Sequence, residues 1–199
     1  SKPVSHLHFV GIGGIGMSAI AQIMKAGGYD VTGSDSGTSA TIDILESREI
    51  KVYREHKKEN VAGADVLVIS SAISKSNPEI QAAQRKGIPI WHRAEALGKV
   101  LNDRTGIVVT GTHGKTTITG MISFLFKHAG LDPTCLVGGI LDEFGSNALI
   151  GSSQWVIAEG DESDGSFRHL HPKFAIVNNI EEDHLDYFKG IDDIHTAFK

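Results

Sequence analysis

Short apolar runs alternate with stretches of helical periodicity along this chain. Leu7-His8-Phe9-Val10 is a buried-strand run that stops at Gly11. After it, Ile15, Ala19, Ile20, Ile23 and Met24 recur at helical spacing, and Gly27-Gly28 ends that helix. Val31-Thr32 predicts a second strand closing at Gly33-Ser34-Asp35. A polar helix over about 40–48 leads to a third strand, Ile50-Lys51-Val52-Tyr53. Val66-Leu67-Val68-Ile69 is the clearest strand and is followed by Ser70-Ser71. Asn77-Pro78-Glu79 is a helix start, with Asn as N-cap and Pro at the first helical position. Ile88-Pro89-Ile90-Trp91 carries a proline, which restricts it to an edge strand. A further helix is predicted over 94–101.

This β-α-β-α order implies parallel strands joined by right-handed crossovers, an α/β fold. Five strands by residue 91 make a Rossmann-like parallel-sheet domain. Asn102-Asp103-Arg104-Thr105-Gly106 is polar, so the domain boundary is placed there, dividing the chain into 1–104 and 105–199. The alternation restarts at Ile107-Val108-Val109-Thr110, with further strands expected at 155–158 and 174–177. Between them a helix places Ile118, Met121, Ile122, Leu125 and Phe126 on one face and stops near Gly130. Ile194 to Lys199 reads as the start of an amphipathic helix with no stop signal, so a longer protein is expected.

Composition narrows the field. Apolar residues are 40% of the 199, enough for a packed core, which excludes a disordered chain. With 19 Lys+Arg against 24 Asp+Glu the net charge is −5, the wrong sign for broad nucleic-acid binding. A single cysteine, Cys135, makes no internal disulfide and suits a reducing compartment. The first residues lack the apolar core of a signal peptide, and no run approaches a membrane span. The expected setting is the cytoplasm, with no membrane insertion.

Many of the 23 glycines sit just after strands. Gly11-Ile12-Gly13-Gly14-Ile15-Gly16 fits G-x-G-x-x-G between a strand and a helix. A Cβ there would block the tight turn and the close approach of a diphosphate, which helix-start N–H groups then hold. Asp35, at the end of the second strand, stands where an acid commonly accepts a ribose hydroxyl. NAD and a UDP-sugar both present a diphosphate and a ribose, so the motif leaves the ligand open.

A second turn, Gly111-Thr112-His113-Gly114-Lys115-Thr116-Thr117, follows strand 107–110 and opens a helix. Its Gly-Lys-Thr core is that of a P-loop. Backbone N–H groups and Lys115 meet the terminal phosphates of ATP, and the Thr116 hydroxyl meets Mg²⁺. The full pattern would need glycine at Val109, so the loop is a shortened variant. Glu159 and His184 also lie beyond strand ends, where ligands gather in parallel sheets. Mg²⁺ prefers oxygen donors, which suits Thr116 and Glu159 better than His184. Asp161, Glu162 and Asp164 read as a solvated turn. The remaining histidines show no ligand spacing.

Together, Gly11 to Ser18 and the His-bearing second turn resemble the Mur ligases of bacterial cell-wall synthesis. Supporting matches are Ser70-Ser71-Ala72-Ile73, Asn77-Pro78-Glu79, Asp161 to Phe167 and Asn179 to Asp186. The resemblance covers essentially the whole chain. It is nearest to the branch that joins L-alanine to the lactyl carboxylate of UDP-N-acetylmuramate in peptidoglycan precursor synthesis. It implies that residues 1–104 hold the UDP substrate through Gly11, Gly13, Gly14, Ile15, Gly16, Asp35, Ser70 and Ser71. Residues 105–199 then form the first part of a P-loop-type central ATP-binding domain. Lys115 matches the phosphate lysine, and Glu159 and His184 match magnesium-site residues. The amino-acid-binding domain lies outside this chain, so substrate binding without turnover is expected. Ala19, Ile118 and Gly160 depart from the family pattern without removing a catalytic group. The alternatives are the tripeptide-recycling ligase of the same family and an NAD-dependent dehydrogenase using the first turn.

Overall fold

The computed structural model describes residues 3–101, 104–161, 170–182 and 188–197. The chain divides into two compact units, Ser1–Ala96 and Leu97–Lys199.

In the first unit the expected strands form a parallel sheet. They are β1 (His6–Val10), β2 (Asp30–Ser34), β3 (Lys51–Tyr53), β4 (Val66–Ile69) and β5 (Ile90–His92), in the order β3-β2-β1-β4-β5. The central strand β1 is buried along Leu7 to Val10, because it is covered on both faces. The two edge strands are only three residues long, which limits the open ladder they present. β5 begins just after Pro89, whose carbonyl accepts Leu67 N–H at 2.9 Å. The connecting helices are α1 (Ile15–Ala26), α2 (Ala40–Ser47) and α3 (Pro78–Lys86). Asn77 caps α3 as the sequence predicts, its Oδ1 accepting Glu79 N–H at 2.8 Å. Gly87 closes the helix at φ +66°, a conformation only glycine adopts freely. One face of the core gathers Val10, Val61, Leu67, Ile80, Ala82 and Ala83. α4 (Arg93–Leu101) runs across the division between the units.

The second unit departs from expectation. Three strands are read from the sequence and five are present among the described residues: β6 (Thr105–Thr110), β7 (Thr134–Leu141), β8 (Ser146–Leu149), β9 (Trp155–Glu159) and β10 (Phe174–Val177). Their order is β10-β6-β9-β7-β8, parallel except for the β7–β8 hairpin. The two extra strands escape the apolar pattern for a physical reason. Gly138-Gly139 interrupts β7, and β8 buries the polar Ser146 and Asn147 instead of an apolar run.

The helix after the second turn, α5 (Lys115–His128), also corrects a sequence reading. Its buried face is Thr119, Gly120 and Ser123, with Ile122 and Phe126 partly buried on the core of Ile107, Cys135, Val137 and Ile157. Met121 and Leu125 are 61% and 63% exposed, so the apolar residues do not form one covered face. Small residues let the helix lie close to the sheet, which turns that part of the apolar stripe outward. α6 (Ile191–Ala197) is the expected amphipathic helix. No helix among the described residues is long and apolar enough to cross a membrane.

Candidate functional site

The first glycine turn sits at the carboxyl end of β1. Gly11 turns the chain at φ +72°, and a Cβ there would lie 2.8 Å from the Ile73 side chain. The N–H groups of Gly11 and Ile12 both donate to the Ser34 carbonyl, at 2.8 and 3.1 Å. Asp35 fastens the turn from the end of β2: its Oδ2 accepts Gly13 N–H at 2.9 Å and its Oδ1 accepts Gly37 N–H at 2.9 Å. The carboxylate therefore shapes the turn, while each oxygen keeps a lone pair for a further donor. α1 starts at Gly14 without a side-chain cap, and helix-start N–H groups have no intrahelical acceptor.

Ser71 lies beyond β4, with its Oγ 3.0 Å from His92 Nε2 at the end of β5. Ser70 stands beside it, its carbonyl accepting Ile73 N–H at 3.1 Å. Sequence reasoning missed Arg93. Its Nη1 lies 2.8 Å from where a Gly16 Cβ would be, so a cation stands over the opening of α1. Its position just past the β5 strand end was the available signal.

Behind this turn is a buried polar cluster built on Glu79, which the sequence marks only as part of a helix start, and on His8 and His56, which show no ligand spacing. Glu79 and His8 have no solvent exposure. The Glu79 carboxylate accepts from Ser34 Oγ at 2.5 Å and from Asn60 Nδ2 at 2.6 Å, and lies 3.1 Å from His56 Nδ1. His8 Nε2 stands 3.5 Å from Glu79 Oε1. Burial alone would push this carboxyl up, but His8, the Ser34 hydroxyl and the Asn60 amide outweigh it and hold it at about 2. His8 Nδ1 and His6 Nε2 share the Thr32 hydroxyl, at 2.8 and 2.9 Å.

In the second unit, β6 runs into the second turn and α5 leaves it. Gly111 and Gly114 take φ +126° and +79°, so both need glycine. Lys115 opens the helix and lays its ammonium over the loop, donating to the carbonyls of Gly111 (2.7 Å) and Thr112 (3.3 Å). The next residue, Thr116, donates from Oγ1 to Glu159 Oε2 at 3.2 Å. Glu159, at the end of β9, also accepts Gly138 N–H from β7 in a short hydrogen bond. Gly138 is a candidate site position that the sequence reading does not include. A Cβ there would stand 2.5 Å from Glu159 Oε2 and 2.8 Å from Thr116 Oγ1.

Burial raises the Glu159 carboxyl, opposed by the Gly138 N–H, the Thr116 hydroxyl and Lys115. A part-buried carboxylate beside a hydroxyl is a hard-oxygen donor pair of the kind Mg²⁺ takes. The residues present therefore fit that ion. Thr117 is exposed one position along the helix. His113 is also exposed, with Nε2 3.7 Å from Glu181. His184, Glu162 and Asp164 lie outside the described residues, and Asp161 is half-buried next to Glu159. Among the described residues no three His, Cys, Asp or Glu side chains form a metal-binding group.

One parallel and one mixed sheet, each with a glycine turn at a strand's carboxyl end and the second with a P-loop-type lysine, have the architecture of nucleotide-binding α/β proteins. Residues 6–105 match the Mur ligase family, catalytic domain, and residues 109–199 match the Mur ligase middle domain. The chain belongs to the Mur ligase family. It is 48% identical over 197 residues to the UDP-N-acetylmuramate–L-alanine ligase of Syntrophus aciditrophicus, covering 99% of this chain and 41% of the relative. The protein of the same description from Hyphomonas neptunium is also 48% identical, over 98% of this chain and 41% of its own length. Among solved structures, the UDP-N-acetylmuramate–alanine ligase of Thermotoga maritima superposes with a TM-score of 0.91 at 34% identity, over 98% of this chain and 46% of that one. The UDP-N-acetylmuramate:L-alanyl-γ-D-glutamyl-meso-diaminopimelate ligase of Neisseria meningitides gives 0.90 at 31%, over 98% and 67%. This chain thus spans about two fifths of the curated relatives it matches.

Proposed function

We propose that this chain is the nucleotide-handling part of an ATP-dependent amide-bond ligase that joins L-alanine to UDP-N-acetylmuramate. Residues 1–104 hold the UDP substrate and residues 105–199 begin the ATP domain. The observation that carries the reading is the grouping of Lys115, Thr116 and Glu159 at one helix start, with the Thr116 hydroxyl 3.2 Å from the carboxylate.

At the first turn, the start of α1 and the Arg93 guanidinium attract the diphosphate. Asp35, Ser70 and Ser71 surround the sugar-nucleotide end. At the second turn, the loop N–H groups and Lys115 hold the ATP phosphates and offset charge on the transferring group. Thr116 and Glu159 would hold Mg²⁺, with His184 as the family's third residue, and that ion supplies further neutralisation of phosphate charge.

The chemistry follows from leaving groups. A carboxylate is a poor acyl donor because oxide would have to depart. Phosphoryl transfer from ATP to the lactyl carboxylate gives an acyl phosphate and ADP. The L-alanine amine then adds to the acyl carbon, loses a proton, and phosphate leaves. Lys115 acts electrostatically in the first step and forms no covalent bond.

In the longer protein, Lys115→Ala is expected to abolish L-alanine-dependent ADP release, and retained turnover would refute the assignment. Residues 1–199 alone should bind UDP-N-acetylmuramate without turnover. The likeness to the Neisseria tripeptide ligase supports a second reading, in which the acceptor carboxylate is the same and the amine belongs to a peptide. Supplying L-alanine and L-alanyl-γ-D-glutamyl-meso-diaminopimelate as rival amines separates the two. A dehydrogenase, by contrast, would quench or enhance NADH fluorescence on titration.

A further inference from the structure

The phosphate loop is gripped from outside by the segment that follows β10. Asn179 makes two side-chain bonds to one residue: its Oδ1 accepts His113 N–H at 2.9 Å and its Nδ2 donates to the His113 carbonyl at 3.0 Å. Asn178 Nδ2 donates to the same carbonyl at 2.8 Å. The His113 carbonyl therefore uses both lone pairs, and its N–H is occupied as well. The stitching extends along the loop. Asn178 N–H donates to the Thr110 carbonyl at 3.0 Å, Thr112 N–H to the Asn179 carbonyl at 3.2 Å, and Glu181 N–H to Thr112 Oγ1 at 2.9 Å.

The glycines of the loop answer to this grip. A Cβ on Gly111 would lie 2.7 Å from the Asn179 carbonyl oxygen, and one on Gly114 would lie 2.8 Å from Asn178 Nδ2. Each is therefore required by the neighbouring segment as well as by its own positive φ. A loop with two such glycines has many conformations open to it when unsupported. Fixing the two peptide planes that flank His113 removes most of them before any phosphate arrives.

We propose that Asn178 and Asn179 are positioning residues of the triphosphate cradle. They hold the His113 peptides so that the N–H groups from Gly114 onward stay aimed at phosphate, and they withdraw the His113 N–H from the phosphate-binding set. This deepens the function proposed above and rests on the second turn being the ATP site. The loop binds in a shape it already has, so less conformational freedom is lost on binding. Neither asparagine needs to touch the nucleotide.

The test is calorimetric titration of ATP with magnesium chloride into the wild-type chain, Asn179→Ala and Asn178→Ala, at a temperature where circular dichroism shows each folded. UDP-N-acetylmuramate is titrated in parallel. Asn179→Ala should weaken ATP by about tenfold or more, the scale of one to two ordinary hydrogen bonds. Asn178→Ala, which leaves both Asn179 bonds in place, should weaken it by about threefold. UDP-N-acetylmuramate affinity should be unchanged in both. A purely structural role would lower the melting temperature and leave the ATP affinity of the folded protein where it was. Asn179→Asp adds a diagnostic: it keeps the acceptor for His113 N–H but turns the donor into an oxygen facing the His113 carbonyl, so it should bind ATP no better than Asn179→Ala. Wild type and Asn179→Ala binding ATP equally would overturn the clamp. If Asn179→Ala fails to fold, equal binding by Asn178→Ala and wild type overturns it. Wild type binding no ATP at all would overturn the ATP-site reading instead.

Discussion

Replacing Glu79 with glutamine removes one negative charge from the interior of the first unit while keeping side-chain volume. Glu79 is fully buried, and its carboxyl is held at about 2 against an ordinary 4.5. A carboxyl whose folded value is depressed stabilises the fold only while ionised. Its contribution is whole above about pH 5, shrinks as pH falls through 4.5, and is gone near pH 2. Converted at 1.36 kcal/mol per pKa unit, that contribution is about 3 kcal/mol at pH 7. The glutamine amide also points a donor at Asn60 Nδ2 or at the Ser34 and His56 donors, so the loss at pH 7 should reach about 3–5 kcal/mol. For a unit of this size that is a midpoint fall on the order of 15–25 °C.

The assay is urea unfolding of wild type and Glu79→Gln at pH 7.5, 5, 4 and 3, read by amide exchange in peptides from β1 and β4, which report the first unit alone. The gap between the proteins should be widest at pH 7.5 and narrow steadily below pH 5. A gap under about 1 kcal/mol at pH 7.5, or one that does not change with pH, would mean that the buried charge of Glu79 does not stabilise the first unit.

Three further outcomes follow from the geometry. Gly138→Ala places a methyl 2.5 Å from Glu159 Oε2, so magnesium-dependent ATP binding should drop while circular dichroism and melting change little. Asn77→Ala removes the cap on α3 and should cost about 1 kcal/mol in chemical denaturation. Burial pushes the Cys135 thiol up to about 11, so a thiol reagent at pH 8 should label it only on unfolding, and fast labelling of the native chain would contradict its place in the core.

The parallel sheet of the first unit was legible because β1 and β4 are apolar runs closed by Gly11 and by Ser70-Ser71, because Gly33-Ser34 closes β2, and because Asn77-Pro78 marks a helix start. The second unit was harder. β8 is built on buried Ser146 and Asn147, and β7 is broken by Gly138-Gly139, so neither shows strand periodicity. α5 lies against its sheet through Thr119, Gly120 and Ser123, residues that an apolar-face reading passes over. At the candidate site, Gly-Lys-Thr is a local motif and can be read from spacing. The partners of its loop are Asn178 and Asn179, distant in sequence and brought beside it by the β6–β10 pairing. The same holds for Glu79, whose partners come from β1, β2 and the segment between β3 and β4.

Two separate anion cradles on one chain, one for a sugar nucleotide and one for ATP, should fill independently. The decisive experiment titrates ATP with magnesium chloride into the chain already saturated with UDP-N-acetylmuramate, for wild type and Lys115→Ala. The expected result is one ATP bound per wild-type chain with the UDP substrate still in place, and loss of ATP alone in Lys115→Ala. Displacement of one ligand by the other, or equal ATP binding by Lys115→Ala, would contradict it.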